Sequence, residues 1–206
     1  MTGSQRGLLN KNETDERPDS PTQSIVVMGV SGSGKTTIGV LLADRIDALF
    51  LDGDDLHPEG NVLRMAAGHP LSDKERIPWL RIVGKRLQKA QTEGSSLVMA
   101  CSALKHSYRD ILREYVPNTF FLFLDGSPEL VQERVSRRNH EFMPASLIES
   151  QFKILEPLGP EENGLRIDIT MTPDAAIKHL LDVNRPSKNN ATTTRSVRGP
   201  GLDLQP

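Results

Sequence analysis

The chain has 206 residues, 36% of them hydrophobic and 25% charged, which suffices for one domain with its own core. A net charge of −2 and only 4% aromatic residues argue against nucleic-acid binding, which draws on positive charge and stacking rings. One cysteine, Cys101, excludes an internal disulfide and a cysteine metal site, and it sits in an apolar run as a small buried residue would. No run approaches the ~20 apolar residues of a membrane helix, and the N-terminus lacks the apolar core of a secretory signal. A cytoplasmic protein with no membrane partner is therefore expected.

Residues 1–23 are polar and punctuated by proline, and residues 185–206 are rich in Ser, Thr, Asn, Gly and Pro. Neither stretch can bury enough apolar surface to offset its ordering entropy, so both are expected to be disordered tails around one domain, 24–184. Within that domain, short apolar runs alternate with helical patterns. Residues 24–30 form a β-branched run that suits a strand buried on both faces. Residues 35–46 place Ile38, Leu41, Leu42 and Ile46 at helical spacing. A second strand is expected at 48–52, a helix at 78–92 and a third strand at 96–102. A helix at 107–115 and a fourth strand at 119–125 follow. Ser127-Pro128-Glu129 is a helix start, with a capping hydroxyl, a proline at the first helical position and an acid near the positive dipole end. That helix should reach about residue 138. A helix at 145–155, a strand at 165–170 and a last helix opened by Thr172-Pro173-Asp174 complete the pattern. Five strands separated by helices predict an α/β fold of three layers, with a parallel five-stranded sheet covered on both faces.

The most specific signal is Gly29-Val30-Ser31-Gly32-Ser33-Gly34-Lys35-Thr36, a G-x-x-x-x-G-K-[ST] loop between a strand and a helix, followed by Thr37. Its glycines let successive N–H groups turn toward one point, and the helix adds its positive end. Lys35 supplies a charge to the β- and γ-phosphates of a nucleoside triphosphate, and the Thr36 hydroxyl suits Mg²⁺.

Asp52 and Asp54 close the second strand, where ligands of a parallel sheet collect. Residues two apart on a strand point the same way, so both acids are expected to face the site. One carboxylate, Asp52, can hold Mg²⁺, and the other can accept a hydroxyl proton. Asp55 suits a cap for the next helix. Arg134 and Arg138 share a helix face near its end and can clamp transferring phosphates, with Arg137 beside them. Ser102, Lys105 and Arg109 follow the third strand and can meet an anionic substrate, although Arg109 can equally pair with Asp110 or Glu114. Arg76 can bind a carboxylate bidentately or stand as a loop charge. Trp79, at helical spacing, reads as core, and the five histidines show no metal-ligand spacing.

In order, VVMGVSGSGKTT (26–37), DGDDLHPEGNVLRMAAGHPLSDKERIPWL (52–80), ACSALKHSYRDILR (100–113), FLDGSPELVQERVSRR (123–138) and FMPASLIESQFKILEPL (142–158) resemble the P-loop gluconokinase family of the small, thermoresistant type. The resemblance covers nearly all of the domain and neither tail. It implies a nucleoside-kinase-like fold with a small mobile lid and a homodimer. It also implies ATP-dependent phosphorylation of D-gluconate on its 6-hydroxyl, giving a pentose phosphate pathway intermediate, with ATP and Mg²⁺ as cofactors. It supports Asp54 as the base and makes His57, Arg76, Lys105 and Arg109 substrate-pocket residues. One departure concerns the lid. The family often reads R-x-x-H-F-M, whereas here Glu141 separates His140 from Phe142. Rival readings are another small-molecule P-loop kinase, such as a shikimate kinase, and a nucleotide-binding switch that transfers nothing.

Overall fold

The computed structural model describes residues 22–137 and 145–184. The expected tails lie almost wholly outside this range, as do Arg138 and His140. Gln23, placed in the N-terminal tail by composition, already belongs to the domain. Its N–H donates to Ser96 Oγ, and its carbonyl accepts from Leu97 N.

The chain runs β1 (Ser24–Met28), α1 (Lys35–Arg45), β2 (Leu49–Asp52), a 3₁₀ turn (Gly53–Leu56), α2 (Glu59–Ala66), α3 (Asp73–Thr92) and β3 (Leu97–Ala100). Then come α4 (His106–Tyr115), β4 (Phe120–Asp125), α5 (Pro128–Ser136), α6 (Ala145–Ile154), β5 (Gly164–Asp168) and α7 (Pro173–Val183). The five strands form one sheet in the order β2-β3-β1-β4-β5, and every pairing is parallel. The order doubles back at β1, so the loops after β1, β2 and β3 open on one crevice at the C-terminal edge.

Strand alternation builds two cores. Ile25, Val27, Val98, Leu122 and Leu124 face one side and pack with α1 and α7 residues such as Ile38, Leu42 and Ile177. Val26, Met28, Met99, Phe121 and Phe123 face the other and pack with Trp79, Val83 and Leu87 of α3 and Leu112 of α4. Both faces are dry, which is why these strands read as continuous apolar runs rather than alternating ones.

Helix α3 starts five residues before the expected position. Proline is a common first helical residue, so Pro78 looked like the start. Instead, Ser72 and Glu75 form a capping box that opens the helix at Asp73, and Pro78 sits inside it. The box satisfies two end donors at once, whereas Pro78 only removes one N–H from the ladder. Arg76 thereby leaves the expected loop and becomes a helical residue aimed inward. The helix expected after Asp55 is α2, at Glu59–Ala66. Among the described residues no helix is long and apolar enough to cross a membrane.

Candidate active site

The loop between β1 and α1 carries three glycines with positive φ: Gly29 at 140°, Gly32 at 84° and Gly34 at 102°. Any other residue would be strained there. At Gly29 a Cβ would also lie 2.7 Å from the Leu124 carbonyl oxygen. Gly34 is the N-cap of α1 and offers no side chain to the first-turn N–H groups, which are left to a ligand. Ser33 Oγ is buried without a hydrogen-bond partner among the described residues. An orphaned hydroxyl in a ring of backbone donors fits a phosphate group. Lys35 Nζ donates to the Val30 carbonyl at 3.2 Å, which folds the ammonium back over the loop.

Thr36 Oγ1 donates to Asp52 Oδ2 at 2.8 Å, so the sequence-expected metal pair is adjacent. A hydroxyl and a carboxylate at the loop's edge are oxygen ligands suited to a hard cation such as Mg²⁺. The other Asp52 oxygen accepts from Asp54 N at 3.1 Å and caps the 3₁₀ turn. Asp55 does not cap the next helix, whose N-cap is Pro58. Strand alternation is also not what brings the two acids together, because β2 stops at Asp52. The turn places Asp54 at the mouth of a cleft lined by Ser31, Lys35, His57, Arg76, Trp79, Ser102 and Gln151.

His57 is almost fully enclosed. Its ring stacks on Trp79 with centroids 4.1 Å apart, and its Nε2 lies 3.9 Å from Asp54 Oδ1. Burial, reinforced by the nearby Arg76 cation, lowers its pKa to about 4, so the imidazole is neutral at physiological pH. Trp79 is core, as its spacing suggested, but it also walls the cleft and donates to the Gly53 carbonyl at 2.7 Å. Arg76 is 9% exposed, and among the described residues the one hydrogen bond of its side chain is to the Tyr108 hydroxyl, at 3.5 Å. A buried guanidinium with so little protein around its donors is suited to an anionic ligand.

The other two basic residues expected in the pocket are placed differently. Lys105 donates to both oxygens of Asp73, at 2.9 and 2.8 Å, and Tyr108 donates to the same carboxylate at 2.5 Å. The Lys105 hydrogen bond, followed by that from Tyr108, holds the Asp73 pKa below its ordinary value. Lys105 is thus tied to α3 and does not line the cleft. Arg109 corrects the sequence expectation outright. Its side chain is fully buried, and it donates to both carboxylate oxygens of Glu162 and to the carbonyls of Ala103, Leu104, Glu156 and Pro157. Every donor it has is taken, so none is left for a substrate. The sequence alternatives of Asp110 and Glu114 were also not its partners. Asp110 pairs with Arg113 at 2.8 Å.

On the far side of the phosphate loop lies a second cavity of about 350 Å³, bordered by Gly34, Thr37, Arg134, Arg137, Met171 and Pro173. Arg134 reaches it from α5 and donates to the Ile169 carbonyl, while Arg137 pairs with Glu133. Arg134 therefore borders the same cavity as Gly34 of the loop. Gln151 of α6 escaped sequence reading as a site residue. Its Oε1 accepts from Ser31 N at 2.7 Å, and its Nε2 donates to Ser31 Oγ at 3.1 Å. The available signal was a polar residue at the spacing of Leu147, Ile148 and Leu155, on a face otherwise apolar.

Comparison with known proteins agrees with this geometry. A family model described as an AAA domain matches residues 25–158. The thermosensitive gluconokinase of Escherichia coli is 46% identical over 148 residues, covering 71% of this chain and 79% of that one. A sugar kinase from Janibacter superposes with a TM-score of 0.76 at 44% identity, covering 79% of this chain and 94% of its own. A gluconokinase from Sinorhizobium meliloti gives 0.70 at 39% identity, with coverages of 79% and 95%. With the phosphate loop, the acidic turn and this likeness in place, the chain belongs to the gluconokinase family of nucleotide-binding P-loop kinases.

Proposed function

We propose that the protein is a gluconokinase that transfers the γ-phosphoryl group of ATP to the 6-hydroxyl of D-gluconate. The observation that carries this reading is one cleft in which Lys35 of the phosphate loop faces Asp54, His57 and Arg76. Donor side and acceptor side share a wall, as in-line transfer requires.

The loop N–H groups and Lys35 bind the β- and γ-phosphates. Mg²⁺, when bound, neutralises phosphate charge, and Thr36 and Asp52 are the residues that would hold it. Asp54 orients the 6-hydroxyl and takes its proton as the oxygen attacks phosphorus. Arg76 pairs with the sugar-acid carboxylate at the other end of the chain, which fixes which hydroxyl reaches the phosphate. Arg134 and Arg138 stabilise charge on the transferring group when the lid closes, and closure excludes water as a competing acceptor. A homodimer belongs to the same reading and is carried by the family resemblance alone.

The test is a coupled ADP-release assay with gluconate, other sugar acids and shikimate. Gluconate-dependent release is expected, and Lys35→Ala should remove most of it while the domain stays folded. Release with shikimate instead would assign a different small-molecule kinase. ATP binding with no acceptor-dependent release would assign a switch.

A further inference from the structure

Asn61, on α2, is 7% exposed and enters none of the roles above. Its side-chain amide has two neighbours. Nδ2 donates to the Glu75 carbonyl at 3.1 Å and stands 3.3 Å from His57 Nδ1. The amide orientation is fixed by the first contact, since a carbonyl oxygen cannot face another carbonyl oxygen. Nδ2 carries two hydrogens, and the second points to His57 Nδ1. That nitrogen must then present its lone pair, so the ring proton resides on Nε2. Nε2 is the atom 3.9 Å from Asp54 Oδ1, on the cleft side.

We infer that Asn61 is a positioning residue that holds His57 in the Nε2–H tautomer, so that a fixed N–H donor stands beside the Asp54 carboxylate in the acceptor site. This rests on the sugar-acid kinase reading. A hydroxyl both donates and accepts. A permanent acceptor at Asp54 and a permanent donor at His57 together address one alcohol, the carboxylate taking its proton and the N–H engaging an oxygen lone pair. One lone pair is thereby left to face phosphorus. The Nδ1–H tautomer would instead present a second acceptor beside Asp54 and compete for the same proton. The charged groups that face the ring are Asp54 of the 3₁₀ turn and Arg76 of α3, with Trp79 stacked on it. Burial and Arg76 keep the ring uncharged, so the tautomer is what remains to be set.

The test reads the ring directly. Full-length protein with ¹⁵N-labelled histidine, free of substrate, is examined by long-range ¹H–¹⁵N correlation, with His57→Gln identifying the His57 signals. The expected pattern at neutral pH is a protonated, pyrrole-type Nε2 and a pyridine-type Nδ1. In Asn61→Asp the carboxylate accepts from Nδ1, so the pattern should invert or become that of a charged ring. Asn61→Ala, which introduces no charge and tests the case in which the aspartate does not fold, should give averaged shifts between the two tautomers. Activity with gluconate should fall about tenfold or more in kcat in either variant, the scale of losing an orienting partner, while the KM for ATP stays within about twofold. A pyridine-type Nε2 in the wild type, or an unchanged His57 pattern in both variants, overturns the inference. Because the spectra need no substrate, they stand even if gluconate proves not to be the acceptor.

Discussion

Among the described residues two arginines are buried, and their surroundings are opposites. Arg109, on α4, is fully enclosed, with all its donors taken by Glu162 and four carbonyls. Arg76 lies in the cleft at 9% exposure, with a single long hydrogen bond to Tyr108 among the described residues. Both stand in charge-mixed segments, Ser72-Asp73-Lys74-Glu75-Arg76 and Lys105-His106-Ser107-Tyr108-Arg109, and both are equally basic in sequence. Saturation separates them. A guanidinium whose donors all end on protein is part of the framework. One held in place but left largely unpaired is built for something that arrives.

The largest expected effect is on the framework side. Arg109→Ala leaves Glu162 enclosed with only Arg113 as its charged partner, and breaking a buried pair of this kind costs roughly 3–5 kcal/mol. Thermal unfolding should shift down by on the order of 10 °C for a domain of this size. Replacing both partners with apolar residues, Arg109→Met with Glu162→Leu, should recover only part of that loss, because the carbonyls that Arg109 served and the donors that Glu162 served stay unpaired. A stable Arg109→Ala protein with a raised KM for the sugar acid would erase the distinction between the two arginines.

Arg76→Ala should do the reverse. Loss of a desolvated charge partner for the substrate carboxylate costs roughly 2–5 kcal/mol of binding, about 30-fold or more in kcat/KM. Unfolding free energy should change by less than about 1 kcal/mol, because little protein hydrogen bonding is lost. Arg76→Lys keeps the charge but not the fork and should restore only part of the activity. An unfolded or strongly destabilised Arg76→Ala would mean that Arg76, too, is framework.

Acid sharpens the same contrast. Burial alone would raise the Glu162 pKa, but hydrogen bonds from Arg109, Gly159 N and Arg113 outweigh it and hold it at about 2. A depressed carboxylate contributes stability that is complete above its unfolded value, near 4.5, and is lost as pH falls toward 2. His57 is depressed from 6.5 to about 4, so the unfolded chain binds its proton first, and stability is lost between those values. Denaturant midpoints should therefore decline in two stages. His57→Gln should flatten the stage between pH 6.5 and 4, and Glu162→Gln the stage below 4.5. A single decline unaffected by His57→Gln would place that ring in water.

Most of the sheet was legible, because strands buried on both faces advertise themselves as apolar runs bounded by turns. Residues 24–30, 119–125 and the loop at 29–36 depend on local chemistry alone. The donor side of the site was legible for the same reason, since its groups are consecutive in sequence. The acceptor side was harder. Asp54 was found, but by strand alternation that ends two residues before it, at Asp52. Arg76 reads from the sequence as a carboxylate ligand or a loop charge, and its place on a helix is hidden because Pro78 outshines the capping box at Ser72 and Glu75. Arg109 was misplaced because its partner, Glu162, lies 53 residues away, beyond any spacing rule. Asn61 and Gln151 look like ordinary polar helix residues until the fold sets a histidine and a phosphate loop against them.

Gln151 supplies the smallest test. It holds Ser31 from both ends of its amide, and Ser31 is the third residue of the phosphate loop. Two such hydrogen bonds are worth about 1–3 kcal/mol together, and water can replace part of each at this half-buried site. Gln151→Ala should therefore weaken ATP binding by about tenfold or less, with global stability little changed. Ser31→Ala removes only the hydroxyl contact and leaves the N–H to Gln151. In a double-mutant cycle on ATP affinity the two changes should couple by about 0.5–1.5 kcal/mol, because each acts through the other. Additive effects would mean that Gln151 steadies α6 alone. Coupling would place Gln151 between the two arginines in kind: its hydrogen bonds end on protein, like those of Arg109, yet the protein they hold is the loop that takes the phosphate.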